Sequence, residues 1–344
     1  MKRLWCVLLA SLCTLFCLVG CERQAQEEKD IKFNVGNNNT AVGRLAHRDG
    51  FIYFADSACL YEYDTASGKT AILDQTGLLK GFYALFVTED RVWFTHDEGL
   101  HYVTRDGKQC GTCFTESGEL GKQFCTDGKD AYFLRSTADE NKKWKTSLFH
   151  MDWETGVTKL LSGDHDVYSY SLDDNNIYIV EQIEQYKDYE VLISDRKNVA
   201  FQKIDLSFEP IMTYPTDEGL YISSLIGDGV TFLYRDGAVT ELPVSSGPYY
   251  HVVGKNLIYQ DFRTTSQTNS KGCHALVLYN METGEKRVLN DSVWEFGVLE
   301  DRYVCYWWAD DMHQKWYYYD LQTGQTKLMY EIEDSMTQYG YGIN

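Results

Sequence analysis

One pattern recurs seven times along this 344-residue chain: an acidic or Gly/Asn turn, then a short run of aromatic and β-branched residues. It is found at Asp49-Gly-Phe-Ile-Tyr53-Phe, Asp90-Arg-Val-Trp93-Phe, Lys129-Asp-Ala-Tyr132-Phe, Asn175-Asn-Ile-Tyr178-Ile, Glu218-Gly-Leu-Tyr221-Ile, Lys255-Asn-Leu-Ile258-Tyr and Asp301-Arg-Tyr-Val304-Cys. The anchor positions 53, 93, 132, 178, 221, 258 and 304 are 40, 39, 46, 43, 37 and 46 residues apart, a mean of about 42. Four-stranded propeller blades repeat at roughly 40–50 residues.

A second element follows the anchor run. It is a hairpin, explicit in Leu60-Tyr-Glu-Tyr-Asp64-Thr-Ala-Ser-Gly68, Leu148-Phe-His-Met-Asp152-Trp-Glu-Thr-Gly156, Leu276-Val-Leu-Tyr-Asn280-Met-Glu-Thr-Gly284 and Trp316-Tyr-Tyr-Tyr-Asp320-Leu-Gln-Thr-Gly324. Shorter forms stand at Arg105-Asp-Gly107 and Arg235-Asp-Gly237. Asp and Asn side chains bond backbone two residues on, and Gly takes the positive φ that such turns require. These acids are turn-formers first, with calcium binding the lesser alternative. A strand pair with one apolar face cannot bury it alone, whereas sheets stacked radially can. The sequence therefore predicts an all-β fold, a β-propeller of seven four-stranded blades, with six or eight blades as the alternatives. Ring closure is left open between a strand from 31–35 added to the last blade and one from 336–344 added to the first. The richness in Tyr, Phe and Trp (26, 16 and 8) agrees with strands.

The run Gly36-Asn-Asn-Asn-Thr40 leading into Asp49-Gly-Phe-Ile-Tyr-Phe, with Leu60-Tyr-Glu-Tyr-Asp64 after it, resembles an uncharacterised propeller repeat family. That family is described by its likeness to the low-density-lipoprotein-receptor propeller and is common in surface lipoproteins of Gram-positive anaerobes. The resemblance implies a propeller over nearly all of the chain. It brings no catalytic residues with it.

The N-terminus has the order of an export signal. Lys2 and Arg3 precede an uncharged apolar run from Leu4 to Gly20, and Leu18-Val19-Gly20-Cys21 resembles the bacterial lipobox. The resemblance implies cleavage before Cys21 and a diacylglyceryl group on its sulfur. An uncleaved signal anchor or an ordinary secretory signal is the alternative. The domain organisation read from this is a signal peptide over 1–20, a lipidated cysteine and polar tether over 21–40, and one propeller over 41–344, held at the extracytoplasmic face of a cell membrane. Loss of Lys2 and Arg3 takes the formal net charge from −19 to −21. Such acidity argues against nucleic acid or bare anionic membrane as a partner, because both demand basic patches. The membrane is then met only through the lipid.

Cysteine carries the most specific local signal. Beyond Cys21 there remain Cys59, Cys110, Cys113, Cys125, Cys273 and Cys305. Cys110-Gly-Thr-Cys113, with Cys125 twelve residues later, forms a candidate set for a structural disulfide, free thiols or a metal site. Redox catalysis is the weakest reading, because it wants a helix N-terminus and this segment follows a β-hairpin. Cys59, Cys273 and Cys305 read as small core residues. The eight histidines are scattered, with no H-x-H or H-E-x-x-H; His96 and His101 flank one turn, and surface roles suit them better than metal. No nucleophile elbow, P-loop or dinucleotide glycine motif occurs, so no cofactor is called for.

Aromatic residues supply the ligand candidates: Trp307, Trp308 and Trp316, beside Asp310 and Asp311 in the last blade, and Trp144 and Trp153 in the third. Rings beside carboxylates stack on sugars or on the aromatic and cationic groups of a protein. Alternate strand residues face opposite ways, so about half of these rings belong to the core. Three functions fit. The first is a binding or interaction module for a cell-envelope or extracellular protein or glycan. The second is a polysaccharide-active lyase or hydrolase with its site assembled at the propeller channel. The third is a scaffold in an envelope assembly.

Overall fold

A computed structural model describes residues 44–333, apart from 57–58, 75–82, 97–98, 116–118, 127–128, 139–142, 185–186, 225–228, 245–248, 266–272 and 310–312. The lipidation candidate Cys21 and the segments 31–35 and 336–344 lie outside these residues. The described residues belong to one compact unit, Phe33–Asn344. They form seven four-stranded antiparallel sheets and no helix. Blades 1 to 7 span 45–74, 83–115, 119–160, 167–204, 210–241, 250–293 and 295–333. Within each blade the four strands follow one another in sequence order. The predicted seven blades are therefore present, and each is contiguous. Neither proposed closure by a borrowed strand is needed to complete blade 1 or blade 7.

Every anchor residue falls in the second strand of its blade, and the predicted hairpins join third to fourth strands. The first strands of neighbouring blades approach one another around the axis. Strand starts of the first strands, and the connections from second to third strands, lie on one face of the ring, called here the upper face. The tight hairpins lie on the lower face.

Alternation along the second strands builds the core. Ile52 and Phe54 pack into one seam and Tyr53 and Ala55 into the next. Seven apolar clusters result, one between each pair of adjacent blades, including blades 7 and 1. The seventh seam joins blades 7 and 1 through side chains: Phe54 lies against Trp316 (5.0 Å between centroids), and Thr70 Oγ1 donates to the Met329 carbonyl at 2.5 Å.

The turn acids behave as the sequence indicates. Asp64 Oδ1 accepts from the Ala66 amide at 2.8 Å, Asp195 Oδ1 from Lys197 at 2.7 Å, and Asn280 Oδ1 from Glu282 at 3.0 Å. Gly156 and Gly284 close their turns at φ 68° and 73°, where a side chain would be strained. The residue beside the turn acid has a further job, reaching back to the anchor of the preceding blade. Arg105 Nε donates to Tyr53 Oη (2.9 Å), Trp153 meets Trp93 edge-on (5.0 Å), and Arg196 Nε donates to Tyr132 Oη (3.4 Å). Trp153, a ligand candidate by sequence, is thus a seam residue.

Candidate binding face

Blade 7 carries a ladder of rings from the upper rim into the core. Antiparallel register places Trp307 opposite both Glu295 and Trp316, and Trp316 opposite Tyr330. Directly opposed residues share a sheet face and touch. Trp294 stacks on Trp307 at 6.0 Å and 13°, Trp307 on Trp316 at 6.0 Å and 27°, and Trp316 then meets Phe54 of blade 1. The run ends in Phe54, Tyr61 and Tyr330. At its far end Asp56, 4% exposed, accepts from the Cys59 amide (2.6 Å) and Tyr61 Oη (2.8 Å). Burial, followed by the Asp56 charge, pushes the Tyr61 phenol far up, so it stays a neutral donor.

Of the three predicted tryptophans, the structure brings two together and separates the third. Trp307 is half-buried at the rim. Trp316 is 1% exposed and offers no face to a ligand; it is a seam residue, because its position alternates with the outward ones. Trp308 lies on the opposite face of blade 7, with Lys315 Nζ 5.9 Å from its ring centroid. Asp310 and Asp311 lie outside the described residues. Trp144, 61% exposed, stands apart on blade 3.

Four further residues accompany Trp307 on the upper face. Glu295 Oε2 accepts from Trp307 Nε1 at 3.1 Å. Gln260 of blade 6 pins the segment before it, donating through Nε2 to the carbonyls of Val293 (2.9 Å) and Trp294 (3.0 Å). Tyr249, ahead of blade 6, has its hydroxyl pKa raised by burial first, then by Tyr168 and Glu295. Tyr168 belongs to blade 4, is 45% exposed and meets Tyr189 edge-on at 5.1 Å. Blades 4, 6 and 7 thus each bring aromatic residues to the upper face, with a carboxylate beside those of blade 7. Sequence reasoning missed Trp294, Tyr249, Tyr168 and Glu295. The legible signal was an aromatic residue ten places ahead of the anchor (Tyr168, Trp294) or nine (Tyr249).

Of the predicted cysteine set, Cys110 and Cys125 lie on different blades. Cys110 is exposed on the outermost strand of blade 2, where it lines a groove of about 300 Å³, whereas Cys125 is fully buried on the innermost strand of blade 3. Both are free thiols, and the side chain of Cys113 lies outside the described residues. Cys59, Cys273 and Cys305 are buried free thiols, in keeping with core packing; burial alone pushes the Cys305 thiol well up. His101 Nδ1 lies 2.9 Å from Thr112 Oγ1. Among the described residues, no group of three or more His, Cys, Asp and Glu is placed to hold a metal.

No family model matches the chain, and no curated protein matches it. Solved structures do. A puromycin-hydrolyzing peptidase of Mycobacterium tuberculosis aligns over 86% of this chain and 54% of its own, with a TM-score of 0.63 and 12% identity. The acylaminoacyl peptidase of Pyrococcus horikoshii aligns over 87% and 54%, with 0.59 and 10%. An oligogalacturonate lyase of Vibrio parahaemolyticus aligns over 84% and 88%, with 0.55 and 13%. What this chain shares with them is the fold. It spans about half the length of either peptidase.

Proposed function

We propose that this chain is a lipid-anchored binding module on the extracytoplasmic face of a cell membrane, and that its upper face receives a protein or glycan of the cell envelope or its surroundings. The lipobox-like Leu18-Val19-Gly20-Cys21 supports the anchor, and the repeat pattern supports kinship with the lipoprotein propeller family that it resembles. The observation that carries the binding role is the upper face itself. Trp294, Trp307 and Glu295 meet at the upper rim of blade 7, Tyr249 packs into the seam between blades 6 and 7, and Tyr168 stands exposed at the upper start of blade 4. Rigid rings make large contact area at low entropic cost, which suits recognition rather than solubility.

The test uses the full chain in maltoside micelles, mixed with separated glycan and protein fractions of the envelope of cells that make it. We expect saturable capture from one fraction, weakened roughly tenfold or more by Trp294→Ala or Tyr168→Ala, the usual range for a central aromatic contact. The intact mass of the membrane-borne chain is expected to be that of a polypeptide beginning at Cys21 with a diacylglyceryl thioether, an adduct that Cys21→Ala abolishes. Capture that ignores both aromatic substitutions removes the upper face from the reading. A membrane-borne chain that retains residues 1–20 or carries no adduct removes the lipid.

A further inference from the structure

We infer that the upper rim of blade 7 takes an alkylammonium group, with Glu295 as its counter-ion and the stacked indoles of Trp294 and Trp307 as its aromatic side; this rests on the upper face being the binding face. The argument begins with how the fold treats its other rings. Arg91 sits 4.3 Å from the Tyr102 centroid, Arg302 4.7 Å from Tyr303, Arg287 5.2 Å from Tyr319 and Arg196 5.3 Å from Tyr132. Ring after ring is capped by a cation of the chain itself, as the negative face of an aromatic ring favours.

Blade 7 presents both the capped and the uncapped case. On one side Lys315 stands 5.9 Å from the Trp308 centroid and 2.8 Å from Glu331, making a ring, a cation and a carboxylate in contact. On the other side the ring and the carboxylate recur, as Trp307 with Glu295 and Trp294 stacked above. Among the described residues, the Glu295 carboxylate has one hydrogen bond, from an indole, and no cation. A half-buried carboxylate between indoles is held ready for a positive charge, and a chain of net charge −19 attracts one from solution.

The shape of the donor set chooses the cation. A single carboxylate is too few ligands for a calcium or zinc ion. A guanidinium prefers a two-pronged carboxylate, but Oε2 is committed to Trp307 Nε1. One free oxygen beside stacked indoles fits a point-like, partly apolar ammonium. A neutral sugar would use the rings without needing the charge.

Choline and n-butylammonium, each with a neutral isostere (3,3-dimethylbutan-1-ol and butan-1-ol), are titrated into the full chain in maltoside micelles and followed by tryptophan fluorescence and calorimetry. At least one cation is expected to bind about tenfold more tightly than its isostere, the scale of one desolvated cation–ring contact plus a charge pair. The stronger of the two separates a quaternary headgroup from a primary amine as the source. Glu295→Gln keeps an acceptor for Trp307 and should abolish the margin, while Trp308→Phe, on the other side of the blade, should leave it intact. Equal binding of cation and isostere, absence of cation binding, or a margin that survives Glu295→Gln overturns the inference. If that happens while envelope capture still depends on Trp294, only the cation assignment falls. If capture is also indifferent to Trp294, the reading of the face falls with it.

Discussion

Trp316→Ala is expected to lower the folding free energy by about 3–5 kcal/mol, the range for removing a large buried aromatic side chain. The seam between blades 7 and 1 joins the two ends of the described chain, and Trp316 sits in it against Phe54 (5.0 Å) and Trp307 (6.0 Å). Its indole N–H has no hydrogen-bond partner among the described residues, so the loss is one of packing rather than of a polar contact. Trp316→Phe separates the two. It leaves a smaller void and removes a buried unsatisfied donor, itself a cost of about 1–3 kcal/mol, so its net effect should be under about 1.5 kcal/mol. Denaturant midpoints of the three chains decide the matter. An Ala variant within about 1 kcal/mol of the parent would mean that the seam contributes little and the ring is held elsewhere.

The second large effect is at the lower end of the same seam. Asp320 is only 6% exposed and is bonded by Arg302 through Nε (3.2 Å) and Nη2 (2.9 Å). Those bonds, more than the backbone N–H of Gln322, hold its carboxyl below the usual range. Arg302→Met leaves the carboxylate buried against backbone donors alone. Breaking a buried pair costs 3–5 kcal/mol; because the Arg302 side chain is 38% exposed, about 2–3 kcal/mol is expected at pH 7. The sign of the pH dependence follows. Asp320 has a depressed folded pKa, so its contribution is complete above the unfolded value near 4 and is lost as pH falls through the folded one. In the Met variant the folded pKa rises, and the carboxyl protonates earlier. The gap between the two chains should therefore narrow from pH 7 to about pH 3. A gap that is constant over that range would show that the charge pair is not its origin. The turn acids Asp64, Asp152 and Asp195 are lowered too, by donors within their own turns, so loss of stability in acid is expected of the ring as a whole.

The blades were legible because two local signals agree. Tyr53, Trp93, Tyr132, Tyr178, Tyr221, Ile258 and Val304 all fall in second strands, and Asp64, Asp152, Asn280 and Asp320 all cap hairpins. Both signals come from neighbours in sequence, a period of two and a side chain bonding backbone two or three residues on. What escaped is what only the closed ring creates. Whether Trp316 or Trp307 meets solvent depends on which seam each faces and how near the rim it lies, and two rings nine residues apart give no hint of that. The upper face is harder still. Tyr168, Tyr249 and Trp294 are 45 to 126 residues apart and come to one face only because blades 4, 6 and 7 share an axis. Cys110 and Cys125 show the converse: fifteen residues apart in sequence, they are divided between an outermost and an innermost strand.

Hydrogen–deuterium exchange of the full chain, with and without the captured envelope ligand, asks most directly whether one face of one closed ring does the binding. Slower exchange is expected at the upper edge, over Tyr249–Tyr250, Trp294–Glu295 and Trp307, with the hairpins at 64–68, 152–156, 280–284 and 320–324 unchanged. Protection confined to those hairpins, or spread evenly over both faces, would contradict it.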